Sequence, residues 1–169
     1  MDVKLHYAIS LGLLLAGTVA APPGFAATSP AQVPTCQAIG NAIAAAYGPI
    51  SSVTDNTTKI HALGGHAPYT VLRACDVHVP GHRLPLVVTI DAPMQRQFFD
   101  GMAQLATRMG RKVQKLDGAG YGDLAYLLPQ IGGGYAVNAL VGKEGLTVGN
   151  WATAHETKNM AQHIIAMMQ

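Results

Sequence analysis

The chain of 169 residues is poor in charge, aromatics and cysteine, and each shortage removes a class of function. Charged residues make up 12% of it, with 11 Lys and Arg against 9 Asp and Glu. A surplus of two cations excludes electrostatic capture of nucleic acid as the main task. The only cysteines, Cys36 and Cys75, cannot supply the paired Cys-x-x-Cys ligation of a structural zinc site. No His-Glu-x-x-His element and no Gly-x-Ser-x-Gly elbow occurs, so two common marks of hydrolytic chemistry are missing. No apolar run reaches the ~20 residues of a membrane helix.

What is present begins with an address. Lys4 precedes an apolar run over residues 8–20, followed by Pro22, Pro23, Gly24 and the small-residue site Phe25-Ala26-Ala27. That order predicts a secretory signal peptide over residues 1–27, cleaved on export. Residues 28–34, rich in Pro, Ala, Ser and Thr, read as a flexible leader to a single domain over residues 35–169. The expected location is periplasmic or secreted, with no membrane span left after cleavage. In that oxidising setting Cys36 and Cys75 are expected to form a disulfide. Closing a loop of about 40 residues contributes on the order of 4 kcal/mol in the chain-entropy model. A lipid-modified Cys36 is the rival reading; Val33-Pro34-Thr35 lacks the small residue expected before such a cysteine.

Hydrophobic spacing predicts an α+β fold: a single twisted, mostly antiparallel sheet with three packed helices. The first helix spans residues 36–47, capped by Thr35 and stopped by Gly48. Residues 49–68 read as a long surface loop. Strands over 70–79 and 84–90 flank Val79-Pro80-Gly81-His82, a type II turn in which proline presets φ and glycine accepts a positive one. Asp91 is expected to cap a second helix with Pro93 in its first turn. Met94, Phe98, Met102, Leu105 and Met109 would be its apolar stripe, with Gly110 at its end. Short strands follow over 112–116 and 124–128. Residues 134–141 and 146–151 form a second hairpin, and a capping box, Thr153-Ala154-His155-Glu156, opens the last helix.

A cysteine in the first helix, another in the strand over residues 70–79 and the segment Gly120-Tyr121-Gly122-Asp123-Leu124-Ala125-Tyr126 together resemble a group of exported actinobacterial proteins. The group includes lipoproteins and the extracellular sensor domains of serine/threonine kinases, and its broader fold is similar to the PsbP-like α+β sandwich. The resemblance implies a non-catalytic binding or sensing module and assigns no catalytic residue.

Candidate chemistry is sparse. His61 and His66 in the long loop, with His78 and His82 beside the turn, would make a metal site if the loop folded over the turn. Solvated imidazoles are the plainer reading, since these residues share no ligand spacing. A small periplasmic hydrolase needs a nucleophile beside a base; a disulfide-bonded Cys75 is no thiolate, and Ser51 and Ser52 lie in a loop. The glycine runs at 118–122 and 132–134 precede expected strands rather than helices, so they read as turns and not phosphate cradles. Arg108, Arg111, Lys112 and Lys115 form the one basic cluster. Its first member complements the negative end of a helix, and the set also suits an acidic partner. The expectation is an exported, non-enzymatic module that needs no cofactor. It would recognise a protein partner in the cell envelope, as an immunity protein or assembly factor does.

Overall fold

The computed structural model describes residues 32–63, 70–130, 133–151 and 153–169; the expected signal peptide and most of the leader lie outside the described residues. The end of the leader is tied down rather than loose. Gln32 donates its N–H to the Met168 carbonyl at 3.0 Å, and Arg73 Nε donates to the Pro34 carbonyl at 3.1 Å.

Helix α1, Cys36–Tyr47, has the expected limits. Thr35 Oγ1 accepts the Ala38 N–H at 3.1 Å, and Gly48 ends the helix with φ 98°. Cys36, Ile39 and Ile43 recur at helical spacing and are buried. The stretch read as a long loop instead holds strand β1, Ser52–Asp55, and helix α2, Thr57–Leu63. There are therefore four helices among the described residues, one more than the sequence pattern predicts. Both added elements lean on β2, Thr70–His78: β1 pairs with it antiparallel, and the Ala74 N–H donates to Thr57 Oγ1 at 3.0 Å.

Val79 to His82 forms the expected turn, with the His82 N–H donating to the Val79 carbonyl at 3.1 Å and Gly81 at φ 84°. Strand β3, Leu86–Ala92, begins two residues later than expected, and Leu84 is left exposed. Asp91 does not cap a helix. It lies within β3, paired with Val71 on one side and Gly145 on the other, because ladder bonds from both neighbours outweigh a local cap. Helix α3, Arg96–Arg108, starts further on at Gln95, whose side chain makes no capping bond. Then come β4, Gln114–Leu116, β5, Leu124–Pro129, β6, Tyr135–Val141, β7, Glu144–Trp151, and helix α4, Ala154–Met168. Thr153 opens α4 by accepting the Glu156 N–H at 3.2 Å and donating its hydroxyl to the Glu156 carboxylate at 2.6 Å.

The seven strands among the described residues join one sheet in the order β1-β2-β3-β7-β6-β5-β4, with every neighbouring pair antiparallel. The chain thus makes one meander, β1-β2-β3, and a second, β4-β5-β6-β7, and α3 carries it from the middle of the sheet to the far edge. On the front face α1 lies over β1 and β2 while α4 lies over β6 and β7. Ile39, Ile43, Met160, Ile164, Ile165 and Met168 meet Val77, Val88, Ile90, Val137, Leu146 and Val148 there, all essentially inaccessible to solvent. The Cys36–Cys75 disulfide, with Cα atoms 5.5 Å apart, fastens the start of α1 to β2. Strand alternation turns Leu124 and Leu140 to the back, where they pack with Phe99 of α3. No described helix is long and apolar enough to cross a membrane.

Candidate binding face on helix α3

The buried line of α3 is Phe99, Ala103 and Ala106, spaced by four and three residues. Two alanines at the contact let the helix backbone come close to the sheet. Of the expected stripe of Met94, Phe98, Met102, Leu105 and Met109, Met94 packs on the back cluster just ahead of α3, and the other four are not the seam. Phe98, Met102 and Leu105 each precede a buried residue by one position, which rotates them roughly 100° to one side of the helix. Leu105 is 59% exposed and Met109 61%, and Phe98 is 38% exposed with its ring edge-on to Phe99 at 6.0 Å between centroids. Apolar surface gathered on one helix flank differs from the single exposed leucines every protein carries.

The opposite flank holds the residues that follow the buried ones: Asp100, Gln104 and Thr107. Between this flank and the β4 edge runs an open cleft of about 470 Å³ lined by Asp100, Gln104, Thr107, Arg108, Lys115 and Tyr126, among others. The Tyr126 hydroxyl donates to the Asp100 carboxylate at 2.6 Å, and that bond, ahead of burial, pushes the tyrosine pKa above its ordinary value. The arrangement positions a carboxylate and a phenol that already satisfy each other. It offers the cleft no activated nucleophile.

The basic cluster divides around this cleft. Arg108 and Lys115 line it; Arg111 and Lys112 lie in the connection between α3 and β4, outside its lining. Lys115 reaches Asp117 at 3.4 Å, a pair too exposed to matter much for stability. It also stands on a three-residue edge strand, where a lysine discourages pairing with another sheet. No ion pair engages Arg108, Arg111 or Lys112 among the described residues.

The histidines are spread out. His61 is exposed in the last turn of α2, His78 is exposed at the end of β2, and His82 is partly buried beyond the turn; His66 lies outside the described residues. Among the described residues no three His, Cys, Asp or Glu side chains converge to hold a metal ion. Ser51 donates its hydroxyl to the His78 carbonyl at 3.2 Å, a backbone partner rather than an imidazole. Asp123 acts at a turn: it accepts the Gly142 N–H at 2.7 Å and holds the glycine-rich segment to the second hairpin. Tyr121 and Tyr135 pack on the front core and Tyr126 on the back, so the tyrosines do not share one pocket.

Periodicity alone missed the α3 flank. Two apolar stripes run side by side on this helix, and the better signal was residue size, since Ala103 and Ala106 fit against a sheet more closely than Met102 and Leu105. No protein-family model matches the chain, and no curated protein or solved structure matches it either.

Proposed function

We propose that this chain is an exported, non-enzymatic binding module that recognises a protein partner in the cell envelope through the α3–β4 face. The observation that carries this reading is the exposure of Leu105 and Met109 beside Arg108, Arg111 and Lys112. Interfaces are enriched in methionine and arginine, with a polar rim around an apolar centre, and Met109, Arg108 and Arg111 are of these types. The disulfide supports the exported part of the reading, because such bonds persist in oxidising compartments. The resemblance of residues 120–126 to exported sensor-type domains points the same way.

Two measurements test it. Intact mass of the protein from its native envelope should show loss of residues 1–27 and two fewer hydrogens than the dithiol form. A photoreactive residue at position 105, irradiated in cells, should give one discrete adduct identifiable by mass spectrometry. The same residue at exposed position 163 on α4 should give none. Identical adducts from both positions, or none from 105, would end the protein-binding reading.

A further inference from the structure

Gly101 is a glycine for which the described residues show no internal use. It sits in the interior of α3, exposed, and a Cβ built on it meets no atom of the described residues within 4 Å. Mid-helix glycine weakens a helix relative to alanine, and neither packing nor backbone conformation requires it here. Its place is the outward crest of α3, in line with Gln97, Gln104 and Arg108. The apolar flank lies to one side of that crest and the cleft to the other. A notch that costs the monomer stability, beside the exposed apolar flank and two turns ahead of Arg108 and the basic cluster, is accounted for by something approaching the backbone from outside.

Charge selects what approaches. Residues 96–117 hold Arg96, Arg108, Arg111, Lys112 and Lys115 against the carboxylates of Asp100 and Asp117, a surplus of three. The whole chain has a surplus of two, so the other residues carry one more carboxylate than cations. A second copy docked through the same face would set these cations against each other. A flat lipid surface has no use for a notch one side chain wide. Resting on the protein-binding reading, we infer that the occupant is an acidic amphipathic helix of another protein, crossing α3 at Gly101. Its apolar side chains cover Phe98, Leu105 and Met109, and its carboxylates reach Arg108 and Lys115 at the mouth of the cleft.

The probes are two labelled helical peptides of about five turns, identical in their leucine stripe, one with glutamate and one with lysine at the polar positions. Titrated with the full chain, the glutamate peptide should bind at least tenfold tighter than the lysine peptide, and less well as salt rises. Gly101→Ala and Gly101→Leu should weaken that binding in order of size, the larger at least tenfold, while the melting temperature holds or rises. Equal binding of both peptides, binding of neither, or indifference to Gly101→Leu overturns the inference. So does preferential binding to phosphatidylglycerol vesicles, or a dimer that Gly101→Leu dissociates. The crosslink from position 105 reads the broader proposal separately, since it needs no particular partner charge.

Discussion

The two faces of the sheet are built to different standards. On the front, 21 described residues form one buried cluster under two capped helices and a disulfide. On the back, Phe99, Leu124 and Leu140 are the buried members of a small cluster beneath α3. The helix that covers this second cluster leaves Leu105, and Met109 at its C-cap, in water. The front face holds the fold together, and the back face has apolar surface left over. A binding role is sought where covering surface would be gained, and that is the back.

The contrast breaks first if the front proves dispensable. Replacing both cysteines by alanine should cost about 4 kcal/mol, the entropy of a loop of this length. Ile164→Ala, at a site with no solvent exposure, should cost a similar ~4 kcal/mol as lost transfer plus residual cavity. Leu140→Ala on the back should cost ~2 kcal/mol, because a thinly covered site relaxes or admits water more easily. Urea denaturation of the three variants decides it. Equal losses at positions 140 and 164 would make the two faces equivalent cores.

Much of the front face was legible in the sequence. Thr35, Gly48 and the spacing of Ile39 and Ile43 mark α1 because each acts within a turn or two of the helix it defines. The turn at Pro80-Gly81 and the capping box at Thr153 are equally local. What escaped the pattern depends on distant partners. Strand β1 is four residues long and mostly exposed, so it has no alternation to read; it exists because β2 offers it an edge. Asp91 looked like a cap until β7 arrived beside it from more than fifty residues away. On α3 the choice between two adjacent stripes was made by the sheet, which accepts alanines close against it and leaves the longer side chains outside.

Asp91 gives a pH test of the back face. Strand alternation sets it opposite in direction to Ile90, which belongs to the front core, and burial pushes its pKa up to about 6. In the unfolded chain an aspartate titrates near ~4. The folded state therefore holds the proton more tightly. Stability from this residue is complete below pH ~4, declines as pH rises toward 6 and is lost above that. Asp91→Asn should stabilise the protein by roughly 1 kcal/mol at pH 8, after discounting for partial exposure, and by almost nothing at pH 4. Denaturation midpoints at both pH values measure the difference. A gain of the same size at pH 4 would show that the charge is not what the back face resists.

The smallest expected effect is the most discriminating. Leu105→Gln exchanges one good helix former for another, and Met109→Gln falls at the C-cap just past α3, so helix propensity barely changes. If these residues belong to no core of their own chain, the double variant should unfold within ~0.5 kcal/mol of the parent. Binding of an environment-sensitive hydrophobic dye to the native protein should fall, because the apolar flank has been removed. A loss above ~1 kcal/mol would mean that α3 already uses this flank for folding. The back face would then be a second core rather than a surface awaiting a partner. Unchanged stability with reduced dye binding would show that the leucine and the methionine form an apolar surface that folding does not use, the surface the binding proposal needs.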